Sequence, residues 1–333
     1  MKNRLLMLLA FILVILSCGC GAGNGTERPE SRGSGTITSR DRGEELKKID
    51  QNYLKSAGNG KKTEQLTYKH GDHTKNAVVY LPPDYNPKKN YNIIYLLGGV
   101  NSDETAFFGK AGESSALGNI LDNTFNSGEC VPLIVVNLAF YPDKNTRLGD
   151  KSLSVLLDDF RQELRYVIIP AVESKYSTFA PDTTPEGIAA SREHRGISGF
   201  SMGGAVAWDI ISTDLDYFSF CIPMAAGSLE DYSGNDYTGS VAEKLKASRS
   251  SLGEEKSGFH IFAAEGTDDV TYEYMEKLID RFRTEYQDTF SFTTSGFPDG
   301  NICYLLKQGG KHDPEHARQY FYNGILAMNN ILK

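Results

Sequence analysis

One five-residue stretch, Gly199-Phe200-Ser201-Met202-Gly203, constrains this chain more than any other. It lies where a short strand-like run, Gly196-Ile197-Ser198, gives way to a helical pattern beginning near Gly204. In so tight a passage from strand to helix, side chains two residues either side of the serine would collide with neighbouring backbone, so glycine is needed at both flanks. Ser201 is then left alone on the corner, pointing into a cleft. The free N–H groups and positive dipole end of the following helix face any oxyanion formed there. An ordinary glycine-rich loop could carry the same spacing. The strand before it, and Gly204-Ala205-Val206-Ala207-Trp208 after it, favour a serine nucleophile, with Trp208 read as core.

A serine hydroxyl is a weak nucleophile until a base takes its proton, and the base is normally a histidine held by a carboxylate. The chain has six histidines. His70 and His73 precede the first core strands, His194 sits among Arg192, Glu193 and Arg195 ahead of the elbow strand, and His260 falls inside a run that reads as buried. His312 is better placed. It follows Leu305-Leu306-Lys307-Gln308-Gly309-Gly310, a strand ending in a glycine-rich loop, and precedes a helix with Asp313 as cap and Pro314 at its first position. His316 completes a His-x-x-x-His spacing without a third ligand, so no metal is expected. The carboxylate should lie in the turn Gly266-Thr267-Asp268-Asp269 after the penultimate strand. Both aspartates qualify, and the one not used for chemistry is expected to cap the helix from Val270 onward.

The remaining apolar segments alternate in kind. Strand-like runs cover residues 77–81, 93–97, 132–138, 194–198, 218–224, 259–264 and 302–306, and helical patterns cover 153–176, 204–213, 272–285 and 314–332. In the clearest helix Leu153, Leu156, Leu157, Phe160, Leu164, Val167 and Ile168 share a face, leaving Asp158, Asp159, Arg161 and Glu163 to the solvated one. Strands alternating with helices predict an α/β fold: a mostly parallel central sheet with helices on both faces, and a site at the carboxyl ends of the strands. The order serine, aspartate, histidine is that of α/β-hydrolases.

Lys2 and Arg4 precede an unbroken apolar run from Leu5 to Leu16, suited to the hydrophobic region of an export signal and short for a membrane span. It ends in Ile15-Leu16-Ser17-Cys18, which resembles a bacterial lipoprotein signal with Cys18 as the acylated residue, a plain secreted protein without an anchor being the alternative. Residues 1–18 are therefore expected to be a signal peptide, 19–62 a flexible tether poor in large apolar residues, within which a short helix from Glu45 either packs on the domain or stays mobile, and 63–333 the catalytic domain. A formal charge of -8 with no run of Lys and Arg speaks against nucleic acid as a partner. Of the five cysteines, Cys130, Cys221 and Cys303 each lie in or beside an apolar run and are expected to be buried and unpaired.

Four motifs in order carry a resemblance to a known family. Ala77-Val78-Val79-Tyr80-Leu81-Pro82-Pro83-Asp84-Tyr85, Tyr91 to Gly99, Glu193 to Gly204, and Gly309-Gly310-Lys311-His312-Asp313 together resemble the Putative esterase family of α/β-hydrolases, with feruloyl and acetylxylan esterases of carbohydrate esterase family 1 nearest. The similarity covers residues 63–333. It implies an acyl-enzyme on Ser201, His312 as base and Asp269, the last residue of a Gly-x-x-Asp turn, as its partner. It also implies an oxyanion hole from the backbone of Met202 with Gly99 or Val100, and no cofactor. The family usually reads His-Gly where this chain has Gly98-Gly99.

The expected function is hydrolysis of plant cell-wall polysaccharide esters, above all release of ferulate from arabinoxylan by an exported, lipid-anchored enzyme. The alternatives are acetylxylan esterase, acyl transfer on the same fold, and a binding lipoprotein without catalysis. An aromatic acyl group needs an apolar slot. Phe140, Tyr141 and Tyr232 are the candidate walls, with Phe107, Phe108 and Tyr237 on the same set of loops, and residues 179–191 and 228–240 are loops long enough to shape the cleft.

Overall fold

Alternation along the strands decides the architecture. In β3 (Asn92–Leu97) every residue is buried, but Ile93, Tyr95 and Leu97 join one hydrophobic cluster while Ile94 and Leu96 join another. β4 (Leu133–Leu138) divides in the same way, with Ile134, Val136 and Leu138 on one side and Leu133 and Val135 on the other. Strands apolar on both faces need cover on both faces, which is the condition of a parallel sheet between two helical layers. The computed structural model of the protein, which describes residues 46–58, 63–229, 240–253, 257–294, 296–297 and 299–331, has that form.

The remaining strands are β1 (Thr63–His70), β2 (His73–Tyr80), β5 (Arg195–Phe200), β6 (Phe220–Met224), β7 (His260–Gly266), β8 (Phe292–Thr293) and β9 (Ile302–Lys307). Among the described residues they form a nine-stranded sheet in the order β1-β2-β4-β3-β5-β6-β7-β9-β8. The β1/β2 and β2/β4 pairs are antiparallel and every other pair is parallel.

One face is covered by α1 (Ala116–Asn126) and by α8 (Pro314–Met328), through Leu117, Leu121, Tyr320, Phe321 and Ile325. The other is covered by a long helix, by α5 (Met202–Thr213), by α6 (Val241–Leu252) and by α7 (Tyr272–Glu285). The long helix is α2 (Leu153–Glu163), continued through a π turn at Leu164–Ile168 into α3 (Ile169–Lys175). A short α4 (Pro185–Ala190) lies ahead of β5. Trp208 is fully buried and donates its indole N–H to the carbonyl of Ala226. Cys130, Cys221 and Cys303 are buried and form no disulfide among the described residues.

Several sequence expectations are corrected. The run at 77–81 is only part of β2. Its hairpin partner β1, at the sheet edge, buries only Thr63 and Tyr68, so no continuous apolar run marked it. Glu163 does not face solvent: it is completely buried, pairs with Lys75 at 2.7 Å and accepts from Tyr68 Oη at 2.8 Å. A carboxylate can sit on the apolar stripe because β2 and β1 supply the cation and the hydroxyl. Residues 179–191 do not shape the cleft, since Phe179 stacks on His194 at 3.6 Å, at the amino end of β5 and so opposite Ser201.

Of the two alternatives for residues 45–62, packing on the domain is the one found in their described part. Residues 46–58 lie against the domain, with a single 3-10 turn at Gln51–Leu54 where a helix from Glu45 was expected. Leu46 is buried in the cluster with α8, and the Lys47 backbone N–H donates to Asn323 Oδ1 at 2.7 Å. Glu129 is the hub of this contact, accepting from Lys47 Nζ at 2.7 Å, from Tyr53 Oη and from Tyr322 Oη at 2.7 Å. The signal and lipidation expectations, Cys18 included, lie outside the described residues, and among those described no helix is long and apolar enough to cross a membrane.

Partial burial raises the Glu129 carboxyl, but the hydrogen bonds from Lys47, Tyr53 and Tyr322 outweigh it and bring it to about 2 from 4.5. A depressed carboxyl stabilises the fold above its ordinary value, and that contribution is lost as pH falls toward the folded-state value. The difference in Tm between the wild type and Glu129→Gln is therefore expected to be constant above about pH 6 and to shrink steadily toward pH 2. Thermal melts across this range check it, and a difference independent of pH would contradict it.

Candidate active site

Ser201 sits on the corner between β5 and α5 with φ 58° and ψ -123°, a left-handed conformation for a residue carrying a side chain. Such a conformation costs on the order of 1–3 kcal/mol and persists only where the surroundings enforce it. Here they do. The Ser201 N–H donates to the Met224 carbonyl of the neighbouring strand at 2.9 Å, and its own carbonyl accepts from Ala205. A Cβ on Gly199 would lie 2.1 Å from the Gly203 carbonyl oxygen, and one on Gly203 would lie 2.4 Å from the Gly98 carbonyl oxygen. Both flanking glycines are thus required by close backbone passage. The amides of Met202, Gly203 and Gly204 open the helix, where no helical carbonyl is available to them.

The residues facing Ser201 come from two loops bound to one another. After β7, Thr267 N–H donates to the Lys307 carbonyl and Asp268 N–H to the Gly310 carbonyl, both at 3.0 Å. After β9, Gly309 N–H donates to Thr267 Oγ1 at 2.9 Å. This stitching brings Asp269 and His312 together. His312 Nδ1 is 2.7 Å from Asp269 Oδ1, and His312 Nε2 is 2.8 Å from Ser201 Oγ. With Nδ1–H donating to the carboxylate, Nε2 is the acceptor for the serine proton. The side chains of Asp269 and His312 are 0% and 7% exposed, so the chain of three is sheltered but open at the cleft. Phe200 lies beside the imidazole with ring centroids 4.5 Å apart.

Asp269, and not Asp268, meets His312. It also takes the Thr271 N–H at 2.9 Å, while Asp268 is exposed, so the expectation that the spare aspartate caps the helix is corrected. α7 begins at Tyr272 without a side-chain cap. Asp269 Oδ2 is buried and takes no hydrogen bond among the described residues, as does Tyr320 Oη nearby. His316 binds Asp313, which caps α8, with 2.9 Å to each carboxylate oxygen.

The loop after β3 brings Gly99 to the serine: a Cβ there would be 3.4 Å from Ser201 Cβ and 3.8 Å from Ser201 Oγ. One residue earlier, a Cβ on Gly98 would approach Ser102 Cβ to 2.6 Å and Ala106 Cβ to 2.8 Å. Ser102 and Ala106 fill the space that a histidine side chain would occupy, which accounts for Gly98-Gly99 in place of His-Gly. Asn137, buried on β4, accepts from Phe107 N–H at 2.9 Å and donates to the Leu96 carbonyl, and Tyr141 Oη accepts from Asn101 N–H at 3.2 Å. These two side chains hold the loop at both ends.

Phe140 and Tyr141 are therefore corrected from slot to support. Both are buried, and Phe140 packs edge-on against Phe160 at 5.4 Å and Tyr141 at 5.2 Å. Phe108 is core as well. Tyr232 and Tyr237 lie outside the described residues. The cleft beside Ser201 is walled by Phe107, Phe200, Ala106, Pro314 and Ala317, together with Gly98, Gly99, Val100 and His312. Phe107 was on the sequence's list of loop aromatics. Phe200 was not, although its position inside the Gly-x-Ser-x-Gly stretch carries the signal. Arg318, on α8, also lines the cleft and was missed because nothing in its local sequence distinguishes it from other exposed helix residues.

A nucleophile on a strand-to-helix corner of a mostly parallel sheet, with its base and carboxylate on the loops after later strands, defines an α/β-hydrolase. The Putative esterase family model matches residues 71–252, and the chain belongs to that family of carboxylic ester hydrolases. The chain is 38% identical over 259 residues to endo-1,4-beta-xylanase Y of Acetivibrio thermocellus, over 78% of this chain and 22% of the xylanase, so it spans about a fifth of that relative. A serine-to-alanine mutant of the feruloyl esterase module from Clostridium thermocellum, complexed with sinapinate, superposes with a TM-score of 0.71 at 32% identity, over 86% of this chain and 94% of that one. A ferulic acid esterase of carbohydrate esterase family 1 from Anaeromyces mucronatus, in complex with ferulic acid, shares the fold at 20% identity and a TM-score of 0.61, over 85% of this chain and 97% of that one.

The two aspartates differ enough in placement to be separated by experiment. Asp269→Asn is expected to lower kcat by several hundred-fold or more, since an amide in that position favours the wrong imidazole tautomer, a change that costs about 10⁴ in a serine protease. Asp268→Asn is expected to stay within about twofold, as for an exposed side chain. Steady-state assays on p-nitrophenyl acetate check this, and the reverse ranking would move the assignment by one residue.

Proposed function

We propose that this protein is a serine esterase acting on plant cell-wall polysaccharide, and that its preferred reaction is release of ferulate from arabinoxylan. The observation that carries the reading is the pair of short contacts, 2.8 Å from Ser201 Oγ to His312 Nε2 and 2.7 Å from His312 Nδ1 to Asp269 Oδ1. The family membership and the two similar feruloyl esterase structures support it.

In this reading Ser201 Oγ attacks the ester carbonyl carbon while His312 Nε2 takes its proton. The oxyanion is held by the Met202 amide at the head of α5 and by the amide of Gly99 or Val100. His312 then returns the proton to the departing sugar oxygen as the carbon–oxygen bond breaks, leaving the acyl group on Ser201. Water attacks that ester with His312 again as base, and Ser201 leaves with the proton restored. No metal or cofactor enters any step. Phe107, Phe200, Ala106 and Ala317 form the apolar wall against which a cinnamoyl ring would lie. Arg318, at the same cleft, forms no ion pair among the described residues and is available to the ring's oxygen substituents.

Ser201→Ala is expected to leave the fold intact and to retain less than about a hundredth of wild-type turnover. Burying an aromatic ring contributes on the order of 2–3 kcal/mol, whereas an acetyl group fills little of the slot. The specificity constant for methyl ferulate is therefore expected to exceed that for acetylated xylan by at least about tenfold. Equal or reversed constants would make acetylxylan the better substrate assignment.

The reading includes export and a lipid anchor at Cys18, supported by the apolar run that ends there. In a bacterial host the wild type is expected in the membrane fraction with a labelled acyl chain, and Cys18→Ala in the soluble fraction without one. Retention of both membrane association and label by Cys18→Ala would exclude the anchor at that position.

A further inference from the structure

The carboxylate facing His312 has a second buried carboxylate behind it. Glu265, at the end of β7, is completely buried. Its Oε1 accepts from the Gly266 N–H at 2.8 Å, and its Oε2 is 3.0 Å from Thr271 Oγ1. Thr271 Oγ1 is at the same time 2.7 Å from Asp269 Oδ1. A threonine hydroxyl has one proton and two lone pairs, so it can donate to only one of two carboxylates. If both were ionised, one short oxygen–oxygen contact would lack a hydrogen, and two negative charges would share a dry site. The remaining ionisable groups facing Glu265 do not relieve this: they are Glu276 on α7, Tyr304 on β9 and Tyr320 on α8. Glu265 forms no ion pair among the described residues.

We propose that Glu265 and Thr271 are positioning residues for the reaction: protonated Glu265 donates from Oε2 to Thr271 Oγ1, and Thr271 donates its hydroxyl proton to Asp269 Oδ1. The inference rests on the serine-esterase reading above. With this direction every short contact has one hydrogen, and no bond is made or broken. Asp269 Oδ1 then accepts from Thr271 N–H, Thr271 Oγ1–H and His312 Nδ1–H, three donors fixing one oxygen. That oxygen is held against the imidazole, and the carboxylate cannot swing away as charge develops on His312. Burial pushes the Glu265 carboxyl well above its ordinary range, and the Asp269 charge adds to the effect, which agrees with a neutral Glu265.

The experiment uses the full chain, with Ser201→Ala as the reference for the reaction itself. Thr271→Val removes the hydroxyl but keeps the backbone N–H. Its kcat is expected to fall about tenfold with KM unchanged. The acidic limb of its kcat/KM profile should move up by about half a pH unit, because a carboxylate that has lost a donor favours the protonated imidazole more. Thr271→Ser restores both. Glu265→Gln retains a donor toward Thr271 and an acceptor for Gly266, so its kcat should stay within about threefold and its profile should superimpose on the wild type. Infrared difference spectra at neutral pH should show a protonated-carboxyl stretch in the wild type that Glu265→Gln abolishes.

A Thr271→Val enzyme with wild-type kcat and an unmoved limb overturns the proposal. So does a Glu265→Gln profile displaced to lower pH, the sign of an ionised neighbour removed, or the absence of the infrared band. These outcomes are separable from failure of the esterase reading, which would appear as turnover surviving in Ser201→Ala.

Discussion

The site depends on how closely three stretches of backbone pass at the end of β5. Gly203 lies against the carbonyls of Leu97 and Gly98, and Gly199 against the carbonyl of Gly203, at separations that leave no room for a Cβ. That crowding forces the corner, and the corner forces Ser201 into a left-handed conformation at the carboxyl end of the central strand β5. The same approach places Gly99 within van der Waals reach of the serine and turns the unsatisfied amides of α5 toward it. Nucleophile position, helix dipole and oxyanion loop are consequences of one packing constraint.

The other half of the site is set by strand order. β7 and β9 are adjacent and parallel, so the loops leaving their carboxyl ends emerge side by side and hydrogen-bond to one another. Asp269 and His312 are separated by 43 positions in the chain but held 2.7 Å apart by that neighbourhood. The family model's span ends at residue 252, before either of them. The corner that presents the serine and the loops that present its partners are therefore distinct parts of the chain, brought together by the sheet.

Legibility in the sequence followed the range of the forces involved. The core strands, α7 at Tyr272–Glu285 and the start of α8 were readable because apolar period and capping are local. β1 was not, because an edge strand needs no apolar run. Glu163 was misplaced because period assigned it a solvated face, and nothing nearby in sequence reveals that Lys75 and Tyr68 meet it inside. In the sequence Phe140 and Tyr141 have the look of slot walls, because aromatic residues on a loop look alike from either side. Burial turns both into the core, and Tyr141 into a support for Asn101. The slot residue Phe200 went unnoticed although it occupies the best-marked stretch of the chain.

By itself, the sequence determined the elbow, the α/β class, the order of serine, aspartate and histidine, and a family whose chemistry is ester hydrolysis. The first three follow from spacing and period, which are properties of neighbouring residues, while the family is what the resemblance of four motifs implies. Tertiary structure decided between Asp268 and Asp269, which the residues left open and only the resemblance assigned, and it alone decided that Ser102 and Ala106 occupy the place of a side chain at residue 98 and that Glu265 stands behind Asp269 across one threonine hydroxyl. Each is a contact between atoms that the chain brings together only on folding. The direction of a hydrogen bond or the room for a Cβ is set by distances of a few tenths of an ångström, which no pattern of residue types encodes.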